Sequence, residues 1–131
     1  MAAVTIPIKR QNYKHTGEST DQYNGWAPNT ISGALTGEAI TSSDTITIPA
    51  DFKDHKTVFV IVNADSAAKT VTFKAGNSYQ GVKDLVVSAA VGTNFIWLDS
   101  AKFVDKETGL ITVTTDVATA NKVSMFGYEM R

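Results

Sequence analysis

The chain contains 17 Thr, 13 Val and 9 Ile among its 131 residues, and only 4 Leu. β-branched side chains lose rotamer freedom on a helix and pack well on a pleated surface, so this bias points the chain towards strands. The spacing of apolar residues agrees with that. Asp44-Thr45-Ile46-Thr47-Ile48-Pro49 alternates polar and apolar and is closed by a proline, which ends a strand or confines it to a sheet edge. Thr57-Val58-Phe59-Val60-Ile61-Val62-Asn63 is apolar on both faces, as a central strand covered on two sides would be.

Further strands are predicted along the rest of the chain. Asn63-Ala64-Asp65-Ser66-Ala67-Ala68 is a turn cluster leading into Lys69-Thr70-Val71-Thr72-Phe73-Lys74, and the two flanking strands are expected to form a hairpin. A loop, Ala75-Gly76-Asn77-Ser78-Tyr79-Gln80-Gly81, precedes strands at Asp84-Leu85-Val86-Val87-Ser88 and Thr93-Asn94-Phe95-Ile96-Trp97-Leu98. Lys102-Phe103-Val104 is short, Lys106-Glu107-Thr108-Gly109 turns into Leu110-Ile111-Thr112-Val113-Thr114, and the last strand spans 122–130. No amphipathic helical stretch is long enough to act as a crossover, so antiparallel pairing is expected. The fold class that results is an all-β antiparallel sandwich, with a jelly roll as one form of it. Its core is expected to hold Val58, Val60, Val62, Val71, Phe73, Leu85, Val87, Phe95, Trp97, Ile111, Val113 and Phe126.

Residues 1–29 read differently. Apart from Val4-Thr5-Ile6-Pro7-Ile8 they are polar and rich in turn-formers, with Tyr13, Tyr23 and Trp26 set among them. This segment is expected to be an extended N-terminal arm on a sandwich domain spanning 30–131, a domain with enough strands to close a core alone. An arm that orders on a partner would add a strand to a neighbouring sheet edge and anchor through its aromatics. Val4, Ile6, Ile8, Lys9, Arg10, Tyr13, Tyr23 and Trp26 are therefore the candidate partner-contact residues. The other reading of residues 4–8, as the first strand of the chain's own sandwich, stays open.

Composition narrows the function. With 43% hydrophobic and 19% charged residues the chain is globular rather than disordered, and a net charge of −1 excludes a broadly basic nucleic-acid binder. It has no cysteine, which removes disulfides, thiolate nucleophiles and Cys-based zinc sites. No apolar run reaches the ~18 residues of a membrane span, and residues 1–10 lack the apolar region of a signal peptide, so the protein is expected to begin near Met1 and to stay where it is made. Neither His15 nor the group Asp51, Asp54 and His55 has the spacing of a motif with a mechanism behind it. Asp99, Asp105, Glu107 and Asp116 lack the pattern of a calcium loop and read as turn residues. The glycine-bounded stretch 76–81 lacks the Gly-Lys-Ser/Thr of a phosphate loop. Trp26 and Trp97 could form a sugar-stacking face, although Trp97 sits among Phe95, Ile96 and Leu98 and reads first as core. No catalytic, cofactor or metal site is expected, and the protein reads as a non-enzyme.

One block carries a resemblance. Thr57-Val58-Phe59-Val60-Ile61-Val62-Asn63 with its small-residue turn, Thr70-Val71-Thr72-Phe73-Lys74-Ala75-Gly76, Gly81-Val82-Lys83-Asp84-Leu85-Val86-Val87, Leu98-Asp99-Ser100-Ala101-Lys102-Phe103 and the strand after Thr108-Gly109 together resemble the small head decoration, or auxiliary capsid, proteins of tailed bacteriophages. The resemblance implies a β-rich module on the outside of the virion, made in the host cytoplasm, that contacts the major capsid protein and cements neighbouring capsomers. It also implies a homo-oligomer, with trimers favoured, and neither nucleic acid nor membrane as partner. A carbohydrate- or receptor-binding sandwich and a tail or baseplate component are the alternatives.

Overall fold

The computed structural model describes residues 2–10 and 36–130. They form an all-β sandwich of two sheets. One sheet has the order β1 (Ala3–Thr5), β4 (Thr45–Pro49), β10 (Leu110–Thr115), β6 (Lys69–Phe73), β7 (Leu85–Ala89), with β9 (Val104–Asp105) on the same side of β10 as β6. The other has the order β2 (Ile8–Arg10), β11 (Val123–Glu129), β5 (Thr57–Asn63), β8 (Gly92–Ile96), with β3 (Glu38–Ala39) sharing the β2 side of β11. We refer to them as the β4 sheet and the β5 sheet. Two short 3-10 turns, Asp54–Lys56 and Ser100–Lys102, are the helical segments of the described residues.

In the β4 sheet the alternation read from the sequence works as expected. Ile46 and Ile48 pair with Val113 and Ile111, and Val113 pairs in turn with Phe73, so one row of side chains faces inward. Ile46, Ile48, Val71, Phe73, Ile111 and Val113 are all buried, and Leu85 and Val87 pack against that core. The opposite face of the same strands carries Thr45, Thr47, Thr70, Thr72, Thr112 and Thr114. Thr47 stands beside Thr112, and Thr114 beside Thr72.

The structure differs from the sequence-based expectation in four places. The segments 57–63 and 69–74 are both strands, but they do not pair: β5 and β6 lie in different sheets, and the turn between them is a corner. Asn63 holds that corner, its buried amide Nδ2 donating to the carbonyls of Ala67 and Ala89 at 3.0 Å while its Oδ1 accepts from the Asp65 N–H at 2.9 Å. Secondly, the core side of β5 is Phe59 and Ile61, joined by Met125 and Val123 of β11. Val58, Val60, Val62 and Phe126 face the other way, where Val60 and Phe126 are nonetheless buried, whereas Phe95 and Trp97 are 61% and 66% exposed rather than core residues. A strand apolar on both faces carries no signal of which face is inside, so its phase was decided by its neighbours.

Thirdly, residues 3–10 belong to the sandwich and not to an arm, which is the other reading left open for residues 4–8. β1 runs parallel to β4, the chain crosses between the sheets at Ile6 and Pro7, and β2 runs parallel to β11. Ile6 is fully buried at the crossing, with Val4 and Ile8 packed against the core. Fourthly, these two pairings make the sheets mixed rather than purely antiparallel. No local crossover is needed, because the partners lie far along the chain and closing a long loop adds only about 0.6 kcal/mol per doubling of length.

Candidate functional site

The predicted contact residues separate into three groups. Val4, Ile6 and Ile8 fill this chain's own core, where they are not free to enter a neighbour's pocket. Lys9 stands beside Tyr128 on the outer face of the β5 sheet, and Arg10 is placed in β2 opposite Glu129. Tyr13, Tyr23 and Trp26, along with His15, lie outside the described residues.

Four of the carboxylates weighed for chemistry accept backbone N–H groups. Asp54 accepts from the Ser100 N–H at 3.1 Å, Asp99 accepts from the Ala101 N–H at 3.3 Å to cap the turn Ser100–Lys102, and Asp105 accepts from the Glu107 N–H at 2.9 Å. Asp116 accepts from the Thr70 N–H at 2.9 Å across the sheet. Asp99 and Asp105 are explained by local turn geometry, whereas Asp54 and Asp116 tie together segments far apart in the chain. Among the described residues no group of three or more His, Asp or Glu is placed to hold a metal ion, and no helix is long and apolar enough to cross a membrane.

Two surfaces stand out instead, and both are apolar. The first is the outer face of the β5 sheet. Cross-strand register puts Phe126, Val60 and Phe95 in one row and Ser124, Val62 and Thr93 in the next. In the row on the other side Tyr128 pairs with Val58, and Trp97, one residue past the end of β8, continues that row beside Phe95. Strand spacing sets the two walls about 10 Å apart across β5. The result is a groove with a valine floor, walled by Phe126 and Tyr128 on one side and Phe95 on the other, and enclosing an open hollow of about 290 Å³. Sequence reading assigned Val58, Val60, Val62, Phe95, Trp97 and Phe126 to the core; Val60 and Phe126 are buried on this face, while Phe95 and Trp97 are exposed.

The second surface is the loop 75–84, between β6 and β7. It is pinned at almost every residue. The Gly76 N–H donates to the Lys102 carbonyl at 2.9 Å, Asn77 donates to Asp105 at 2.9 Å and accepts from the Lys106 N–H at 2.8 Å, and the Ser78 hydroxyl donates to the Ala101 carbonyl at 2.8 Å. At the far end, Asp84 accepts from the Ala75 N–H at 2.7 Å and pairs with the Lys74 ammonium at 2.8 Å. Those hydrogen bonds, the backbone one first, hold the Asp84 carboxyl below the usual carboxylate range. Close packing adds to the restraint: a Cβ on Gly76 would run into the Val104 carbonyl, and one on Gly81 into the Gly76 carbonyl. Out of this framework project Tyr79, 88% exposed, and Val82, 84% exposed. A tightly bonded loop that leaves a tyrosine and a valine in water is built like a binding loop. Gly76 and Gly81 were its signal in the sequence.

No protein family matches this sequence, and neither the curated proteins nor the solved structures include a match to it. The resemblance to phage decoration proteins therefore rests on the motifs quoted above.

Proposed function

We propose that this protein is a non-enzymatic structural protein of a tailed-phage virion, which binds the outer surface of the capsid and cements neighbouring capsomers. The observation that carries the docking role is the loop 75–84, a preorganised platform offering Tyr79 and Val82. A pre-ordered aromatic anchor avoids the cost of freezing a loop at the moment of binding, which is about 0.5–1.5 kcal/mol per side chain immobilised. The major capsid protein is the partner that the motif resemblance supplies. Binding only to the assembled shell stabilises the shell by mass action, and the effect grows with every site occupied.

The test is co-sedimentation with shells assembled from a tailed-phage major capsid protein. The full chain is expected to pellet with the shells, and Tyr79→Ala is expected to weaken that binding about 30-fold or more, the loss of one hot-spot residue. Equal binding by wild type and by a Tyr79→Ala, Val82→Asp double variant would move attachment away from the loop. A full chain that never pellets with shells would overturn the capsid role, and binding on a glycan array would then favour a carbohydrate-binding sandwich.

A further inference from the structure

We infer that residues 2–10 are an exchangeable strap: where copies of this chain are crowded together, the strap of one copy seats on the sheets of a second copy, which returns its own. The inference goes beyond the capsid role and does not depend on it.

The seat is the side of the sandwich formed by β4 and β11. The Ala2 carbonyl accepts from the Thr45 N–H at 2.8 Å, the Ile6 N–H donates to the Thr47 carbonyl at 2.9 Å, and the Pro7 carbonyl accepts from the Gly127 N–H at 2.8 Å. Ile6 is fully buried, with Val4 and Ile8 packed against the core on either side of it. Pro7 stands where the chain passes from one sheet to the other, between the two ladders, so its missing N–H breaks neither of them. These hydrogen bonds run to strands far along the chain, and they are the same whichever copy supplies the strap.

One long connection ties the strap to its own sandwich. Arg10 stands opposite Glu129 and Glu38 opposite Met125, both on the same side of β11, so the ends of the connection lie about 13 Å apart along one strand. About four extended residues would span that gap, and connections in compact domains commonly have about 4–6. This chain uses the 27 residues 11–37. Their maximum reach is about 90 Å, against a diameter of roughly 36 Å for a domain of this length. The seat of an adjoining copy therefore lies within reach of the strap.

Exchange conserves the contacts. Val4, Ile6 and Ile8 are covered in either arrangement, since each strap moves between equivalent seats and none is left in water. The balance between the closed chain and the exchanged pair is then set by concentration. A connection of this length gives the strap an effective concentration at its own seat of about 1 mM or less, so a second copy competes as the protein nears that value. Release of the strap uncovers Ile6 and the edges of β4 and β11, so interchange passes through local unfolding and is slow in the folded protein.

The chain has no cysteine, so introduced thiols report where the strap sits. Thr5 pairs with Thr47 in the β4 sheet, and Thr112 lies one strand further on, about 10 Å from Thr5 and beyond the ~7 Å reach of a disulfide. The full chain carrying both Thr5→Cys and Thr47→Cys is expected to close its disulfide within one chain at about 10 µM, well below the effective concentration of the strap. For exchange, Thr5→Cys and isotope-labelled Thr47→Cys are incubated together at about 1 mM in a glutathione buffer, with urea below the unfolding midpoint to release the strap. A disulfide between the two chains is expected at about tenfold or more above the level from the same mixture with Thr112→Cys in place of Thr47→Cys, and the excess should shrink at about 10 µM. Should a variant fail to fold, Ala3→Cys with Thr45→Cys, an exposed pair in the same register, takes its place. A mixed disulfide no more abundant than the Thr112→Cys control at either concentration overturns the inference, as does a doubly substituted chain that does not close on itself. Because capsid binding is read separately through Tyr79, absence of exchange with retained co-sedimentation would leave the proposed function standing.

Discussion

Phe73 and Thr72 are neighbours on β6 that face opposite ways. The phenylalanine ring is buried and meets Phe103 edge-on with ring centres 6.5 Å apart, whereas the threonine looks out beside Thr114. Phe73→Ala is expected to cost about 3–5 kcal/mol, because it leaves a cavity as well as losing the transfer energy. Thr72→Ala should cost much less, and equal shifts in the urea midpoint of the two variants would show the strand phase to be wrong. Asp84 makes a pH-dependent contribution. Its carboxyl is held low chiefly by the Ala75 N–H, so the charged form is the one favoured by folding. A depressed folded pKa means that the contribution is complete above the ordinary carboxylate value and is lost as pH falls through the folded value, below about 4. The loop 75–84 is therefore expected to loosen in acid. Hydrogen exchange at Ala75, corrected for intrinsic rates, should accelerate below that pH, and Asp84→Asn should show the faster exchange already at neutral pH.

At the scale of elements, the short N-terminal strands matter more than their length suggests. β1 and β2 have three residues each, yet they occupy the same side of the two sheets and the chain between them puts Ile6 into the core. Ile6→Ala is expected to cost about 2–5 kcal/mol. A variant lacking residues 1–10 should lose cooperative thermal unfolding, and a sharp transition near the wild-type temperature would show that the sandwich closes without them. The loop 75–84, proposed for docking, is expected to behave as a unit of its own. Gly81→Ala forces the chain away from the Gly76 carbonyl, so capsid binding should fall while global stability, resting on the two sheets, changes little. A simultaneous collapse of the urea midpoint would show the loop to be part of the core framework.

Across the whole molecule, the proposed attachment is expected to depend on apolar contact more than on charge. With a net charge of −1 there is little long-range attraction to screen, so raising salt from low to about 0.5 M should weaken capsid binding only modestly. A steep salt dependence would point to a charged patch in place of Tyr79 and Val82. The two outer faces differ in chemistry: the β4 sheet carries rows of threonines with exposed Val86 among them, and the β5 sheet carries valines and aromatics, of which Phe95 and Trp97 are exposed.

Local information determined the strands of this chain. β5 and β11 fall at or within a residue of the ends read from β-branched runs and turn residues, and the polar and apolar alternation of β6 and β10 named their buried faces in advance. The glycine-bounded loop was also legible, because close backbone approach leaves a mark in residue type. What required the tertiary structure was everything that depends on a distant partner. Val58 to Val62 are apolar at every position, and only the arrival of β11 and β8 decided that Phe59 and Ile61 go inward and the valines outward. Phe95 and Trp97 look like core residues by type, and it is the register of an edge strand that leaves them in water. Residues 3–10 read as the start of an arm because each piece is too short to signal a strand, and they become strands because β4 and β11 each offer an open edge. Burial belongs to a pair of surfaces, and a sequence taken alone specifies only one of them.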